Sequence, residues 1–103
     1  MAQYIIEYSK EAKQDLIEIK YYIKHNLQEP KTAQNQITRI RNGINELKNN
    51  PEIYAIIDDD FIKKLEIRKL FIDNYIIFYR VKYNEIQIVR IIYGRRNWIN
   101  LLY

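Results

Sequence analysis

The chain has 103 residues, 48% of them hydrophobic and 29% charged, which is enough for one domain with a packed core and too little for two. It contains no Cys, which excludes disulfides, zinc–thiolate sites and thiol catalysis. The net charge of +4 is uneven, since residues 61–103 hold nine Lys/Arg against three Asp/Glu, and this basic half predicts a polyanionic partner, either nucleic acid or an acidic protein.

The sequence gives no sign of a membrane segment or of a secretion signal. No apolar run approaches the roughly 20 residues that a membrane span needs. The N-terminus lacks a basic region followed by a long apolar stretch. We therefore expect a single domain over residues 1–103, located in the cytoplasm and without membrane association.

The first predicted elements are a short strand and a long helix. Alternation over residues 3–8 places Tyr4, Ile6 and Tyr8 on one face of a strand. Ser9 can accept hydrogen bonds from the free amides of a helix that follows it. Apolar residues then recur at steps of three and four, which predicts an amphipathic helix over about residues 9–27 with the stripe Ala12, Leu16, Ile19, Ile23 and Leu27.

A second helix is predicted over about residues 30–49. Pro30 is suited to a first helical turn, and Pro51 prevents the helix from continuing. The link to the first helix is short, so the two helices should form an antiparallel hairpin. The apolar stripe of this second helix consists of Ala33, Ile37, Ile40, Ile44 and Leu47.

Beyond residue 60 the pattern changes to one typical of strands. We predict strands near residues 65–72, 75–82 and 85–93, separated by Asp73-Asn74 and Tyr83-Asn84, because Asn and Asp tolerate the positive φ of two-residue hairpin turns. Residues 95–103 form a short amphipathic tail. The predicted fold is therefore α+β: an N-terminal strand, then an antiparallel helical hairpin packed on a C-terminal antiparallel β-meander, then the tail.

Four stretches, in this order, resemble the RelE/ParE toxin family. Residues 8–16 are similar to the opening of that family, in which a strand leads into Ser-x-x-Ala-x-x-Asp-Leu. Residues 65–70 resemble its basic first meander strand, and residues 74–81 resemble its Asn-Tyr-apolar-apolar-Phe-Tyr-Arg-Val strand. Residues 89–98 resemble its last strand, which a Gly-Arg-Arg turn follows. The four stretches span nearly the whole chain.

The resemblance implies the growth-inhibiting toxin of a type II toxin–antitoxin system of the plasmid-stabilisation kind. The implied partner is a cognate antitoxin protein, and no cofactor or metal is implied. The family contains two activities. Some members inhibit DNA gyrase, and others are metal-independent endoribonucleases that cut mRNA on the ribosome.

The ribonuclease pattern implies a catalytic set of Lys69, Arg96 and Tyr103. Lys69 and Arg96 would stabilise the charged phosphorane, and Tyr103, one residue beyond the family's position, would serve as an acid. Two cationic positions of that pattern are occupied here by Ile67 and Ile76. The resemblance therefore favours the gyrase-directed activity, with the ribonuclease as the alternative.

For either target, the predicted surface for binding the target or a nucleic acid combines basic and aromatic residues. They are Arg68, Tyr93, Arg95, Arg96 and Trp98.

Two further groups of residues are given structural and not functional roles. His25, the single His, is predicted to be solvated or to cap the first helix. The run Asp58-Asp59-Asp60 is interpreted as solvated charge and not as a metal site.

Overall fold

The computed structural model describes residues 3–95 and 98–102. The helices are α1 (Lys10–Tyr21), continued by a π-helical turn (Tyr22–Asn26), α2 (Pro30–Asn45), continued by a 3₁₀ turn (Glu46–Lys48), a separate 3₁₀ turn (Ile62–Leu65), and α3 (Ile99–Leu102). The strands are β1 (Ile5–Tyr8), β2 (Arg68–Ile72), β3 (Tyr75–Lys82) and β4 (Glu85–Tyr93). This order confirms the predicted α+β fold.

The four strands form one sheet in the order β1-β4-β3-β2. β2, β3 and β4 are the predicted antiparallel meander, whereas β1 pairs in parallel with β4. Parallel neighbours need a crossover connection, and here the helical hairpin and the two meander hairpins lie between them in sequence. The N-terminal strand is therefore an edge strand of the sheet, and it lies next to the last strand of the meander.

The first helix begins where it was predicted, but its last turn differs. Ser9 Oγ accepts a 2.9 Å hydrogen bond from the Ala12 amide, as expected of an N-cap. The helix extends to Asn26, within a residue of its predicted end, but after Tyr21 it widens from an α-helix into the π-helical turn. A π-helical turn contains one more residue than an α-helical turn. The residue four positions after the buried Ile23 therefore no longer points toward the core. The side chain of Leu27 is accordingly 52% exposed, against its predicted place in the stripe.

The second helix and most of the meander agree with the sequence. Pro30 starts α2, and all five residues of the predicted stripe are buried. β3 and β4 have the predicted bounds, but β2 begins at Arg68 and not at residue 65. Residues 62–65 form a 3₁₀ turn, and Glu66 after it takes a left-handed φ of 57°, which interrupts an extended strand.

Both hairpin turns have two residues, and the first residue of each takes positive φ. Asp73 (φ 54°) does so as expected for its residue type. In the second turn it is Tyr83 (φ 55°) that adopts this conformation, not Asn84. The side chain of Tyr83 is 97% exposed, so the turn leaves a large aromatic ring in solvent.

The sheet buries apolar side chains on both faces. On the helix face, α1 and α2 cover residues that include Leu70, Ile77 and Tyr79. On the tail face, Ile67, Ile76, Phe78 and Ile92 form a second cluster with Ile57 and Ile62, against which Trp98, Ile99, Leu101 and Leu102 pack. These residues of the short tail therefore cover the apolar cluster on one face of the sheet. None of the helices within the described residues is both long and apolar enough to cross a bilayer.

Tyr79 connects the helix-face core to the loop after α2. Its ring is fully buried, and its hydroxyl donates a 2.8 Å hydrogen bond to the Pro51 carbonyl oxygen. Burial raises the pKa of Tyr79 to about 12, although the nearby Arg68 charge acts in the opposite direction. The phenol of the unfolded chain titrates near pH 10, so the neutral phenol stabilises the fold fully below about pH 10. This stabilisation is lost as the pH rises through about 12.

We expect Tyr79→Phe to reduce the loss of unfolding free energy between about pH 10 and pH 12. At neutral pH the variant should lose about 1 kcal/mol, because the Pro51 carbonyl loses its donor. Urea unfolding at a series of pH values measures both effects. Tyr83→Phe, at the exposed turn, is the matched control and should follow the parent protein. Superimposable pH profiles for Tyr79→Phe and the parent would contradict the assignment.

Candidate functional site

Two of the predicted site residues meet on the tail face of the sheet. Lys69 Nζ lies 4.8 Å from the centroid of the Trp98 ring and 5.6 Å from that of Phe71. The Trp98 ring in turn packs on Phe78, at a centroid distance of 5.2 Å. A cation held over aromatic rings is stabilised by the ring quadrupole while its ammonium stays available to a partner. Lys69, Phe71 and Trp98 thus form a basic, aromatic surface, called here the tail-face patch.

Arg68 lies on the opposite face of β2. Its Nη1 donates to the carbonyl oxygens of Tyr54, at 2.6 Å, and of Glu52, at 3.3 Å. The guanidinium therefore ties the loop after α2 to the sheet. Since successive side chains of a strand point to opposite faces, Arg68 and Lys69 do not contribute to one surface.

Tyr93 also lies on the helix face, at the end of β4. Its ring meets that of Tyr75 edge to face, with centroids 5.7 Å apart. Arg95 follows in an exposed turn after Gly94, whose amide donates to the Asn74 carbonyl oxygen. The members of the predicted target-binding set that the structure describes are thus divided between the two faces of the sheet and the turn beyond it.

The predicted catalytic set is located only in part. Lys69 is the member that the structure places, whereas Arg96 and Tyr103 lie outside the described residues. The two positions where the ribonuclease pattern has cations can be located. Ile67 and Ile76 are each 2% exposed and belong to the apolar cluster under the tail. These positions are part of the core and do not line a polar site.

A partly buried ion pair joins α1 to β4 beside the tail. The guanidinium of Arg90 donates to both carboxylate oxygens of Asp15, from Nε at 2.8 Å and from Nη2 at 2.9 Å. The Ile91 amide donates to the same carboxylate at 2.9 Å. The hydrogen bond to Asp15 raises the pKa of Arg90 and burial opposes it, so the guanidinium stays charged. Arg90 Nη1 also reaches the Leu101 carbonyl oxygen at 3.5 Å, so the pair links helix, sheet and tail.

This pair is not among the predicted site residues, although the sequence contains one signal for it. Asp15 falls next to Leu16 on the buried side of an amphipathic helix, where a carboxylate requires a charged or hydrogen-bonded partner. The partner is 75 residues away and could not be selected from several arginines. β4 carries one extra residue here, since Phe78 is opposite Arg90 while Tyr79 is opposite Ile88. The resulting bulge sets the direction of Arg90.

Comparison with known proteins decides the family. Residues 6–98 match the family model for the ParE toxin of the type II toxin–antitoxin system parDE. The chain belongs to the ParE toxin family. The predicted resemblance is confirmed. A solved structure described as the chromosomal ParDE TA system from P. aeruginosa has the same fold, with a TM-score of 0.71 at 23% identity. That match covers 88% of this chain and 96% of the other. No curated protein sequence matches significantly.

Two other groups in this ParE toxin have local structural contacts. The His25 ring contacts that of Tyr21 in a tilted arrangement, at a centroid distance of 4.2 Å and an interplanar angle of 36°. In the aspartate run, Asp59 Oδ1 accepts from the Phe61 and Ile62 amides at the start of a 3₁₀ turn, and Asp58 lies 3.7 Å from Lys63 Nζ. Among the residues that the structure describes, no group of three or more His, Asp or Glu is arranged to hold a metal ion.

Proposed function

We propose that this ParE toxin inhibits DNA gyrase in the cytoplasm and is neutralised by a cognate antitoxin. The observation that carries the proposal is the burial of Ile67 and Ile76, each 2% exposed, where the ribonuclease pattern has phosphate-binding cations. RNA cleavage without a metal needs several groups around one phosphate, to move protons and to stabilise charge. The engagement of Arg68 with two backbone carbonyl oxygens removes another cation from that role.

The surface that we propose for contact with the target is the tail-face patch. Lys69 supplies a charge, and Phe71, which is 61% exposed, supplies apolar area. Aromatic and basic side chains of this kind are enriched at the centres of protein interfaces. The proposed antitoxin would bind as a flexible, acidic segment that folds on the basic C-terminal half, where the charges attract it.

The test measures both candidate activities on the same purified protein. We expect it to block supercoiling by gyrase, to leave mRNA intact on translating ribosomes, and to lose inhibition when the antitoxin is added. Lys69→Ala should weaken inhibition about 2- to 10-fold, the range expected for one partly exposed charge in an interface. Lys82→Ala, which removes an exposed Lys at the far end of β3, is the matched control and should inhibit like the parent.

The ribonuclease alternative predicts the opposite result. Codon-specific cuts on ribosomes, with normal supercoiling, would overturn the proposal. In that case Arg96→Ala should slow cleavage roughly 30- to 1000-fold, as loss of a preorganised donor does. The circular dichroism spectrum of that variant should match the parent, so that slower cleavage is separated from loss of folding.

A further inference from the structure

A second candidate site lies on the helix face, away from the tail-face patch. It is a pocket of about 750 Å³ between α1, the π-helical turn, the first turns of α2 and the adjoining ends of β3 and β4. Three tyrosines, Tyr22, Tyr75 and Tyr93, line it together with the carboxylates of Asp15 and Glu18. We call it the tyrosine pocket. Its volume falls in the range of about 300–1,000 Å³ that is common for binding sites of small ligands.

Two of the tyrosine rings are in contact, since the centroids of Tyr75 and Tyr93 are 5.7 Å apart. Burial raises the pKa of Tyr75, and the neighbouring phenols of Tyr93 and Tyr22 raise it further. Tyr75 is only 9% exposed and forms the wall, whereas Tyr93 is 37% and Tyr22 53% exposed at the rim. The site therefore offers aromatic rings and phenol groups around one volume.

The charged side chains that line the pocket are acidic, although Arg90 beside them offsets part of this charge, since it binds Asp15 and interacts with Glu18. Its lining, as far as the structure describes it, includes two carboxylates and no Lys, Arg or His, although the net charge of the chain is +4. Asp15 is committed to Arg90 and to the Ile91 amide. The exposed carboxylate of Glu18 accepts a 3.4 Å hydrogen bond from Gln14 and is positioned for a cation that enters from solvent.

The π-helical turn supports a binding role for this pocket. Such turns are rare and occur frequently at functional sites. Here the turn brings Tyr22 to the rim and leaves Leu27, just after it, 52% exposed. The Tyr22 ring and the Leu27 side chain line the same pocket as the Glu18 carboxylate. This combination fits the long apolar stem and cationic end of a single side chain.

We propose that the tyrosine pocket binds an arginine side chain presented by a protein partner. The planar guanidinium stacks on a tyrosine ring and donates to the Glu18 carboxylate and to phenolic oxygens, while the stem packs on Leu27. Arginine is favoured over lysine because its planar group stacks and donates in several directions at once. The site is independent of the toxin's target, so it holds whether or not gyrase is inhibited.

The first experiment uses N-acetyl-arginine amide as the probe, with NMR of the ¹⁵N-labelled full chain. We expect saturable shifts of amides around Tyr22, Tyr75 and Tyr93, with a dissociation constant on the order of 1–10 mM, as suits one side chain. The citrulline analogue has nearly the same shape without the charge and should bind at least about 10-fold more weakly. Equal binding of citrulline, or no saturable shift, would overturn the proposal.

Variants locate the site within the pocket. Glu18→Gln should weaken binding about 5-fold and Tyr22→Leu about 2- to 30-fold, from loss of the charge and of the ring. Glu46→Gln, an exposed carboxylate at the end of α2, is the control and should bind like the parent. Unchanged binding by both pocket variants, shifts centred on the loop around Asp59, or tighter binding of the flexible cation spermidine would each overturn the assignment.

Discussion

Asp15→Asn is expected to lower the free energy of unfolding by about 2–4 kcal/mol, because it leaves the Arg90 charge without its counterion. The Asp15 side chain is 8% exposed and that of Arg90 is 23% exposed, so water solvates the orphaned guanidinium poorly. The expected loss is at the lower end of the range for buried pairs, since Arg90 retains some contact with solvent. The substitution also weakens the acceptor of the Ile91 amide, beside the β4 bulge.

Urea unfolding followed by circular dichroism measures this loss. Glu46→Gln is the matched control, because it makes the same chemical change at an exposed carboxylate and should cost less than about 0.5 kcal/mol. Arg90→Met completes a double-mutant cycle. If the pair is the cause, the double variant should be more stable than the sum of the single losses predicts. Strict additivity, or a loss no greater than that of the control, would contradict the role given to the pair.

Phe78→Ala should produce the other large effect, a loss of about 3–5 kcal/mol in unfolding free energy. The Phe78 ring is fully buried in the apolar cluster on the tail face of the sheet, and it packs against the Trp98 ring. Its removal leaves a cavity under the tail. We therefore expect the tail to detach before the helix face unfolds.

Trp98 is the single Trp of the chain, so its fluorescence reports on the tail. In Phe78→Ala the emission should shift to longer wavelength at urea concentrations that leave the helical signal unchanged. Phe71→Ala is the matched control, since Phe71 is on the same face but 61% exposed, and it should cost little stability. Phe78→Leu keeps most of the volume and should fall between the two. Coincident fluorescence and helical transitions in Phe78→Ala would show that the tail is not a separate layer.

The elements that the sequence predicted best depend on local interactions. The three- and four-residue spacing of apolar side chains defines α2, and Pro30 fixes its start, because both act within a turn or two of the chain. Alternation and short turns define β3 and β4 for the same reason. Ser9 is a local cap. The resemblance to the ParE family could also be recognised from local sequence, since it depends on short stretches in a fixed order.

The tertiary structure decided which distant residues meet. The pairing of β1 with β4 and the bond between Asp15 and Arg90 join positions about 75 to 80 residues apart, and no local pattern selects such partners. Strand alternation separates Arg68 from Lys69, but the loop after α2 determines that Arg68 is engaged while Lys69 remains beside Trp98. The widened turn after Tyr21 likewise exposes Leu27 against its helical spacing. Each of these outcomes follows from packing between elements, because burial and charge pairing are satisfied across the fold and not along the chain.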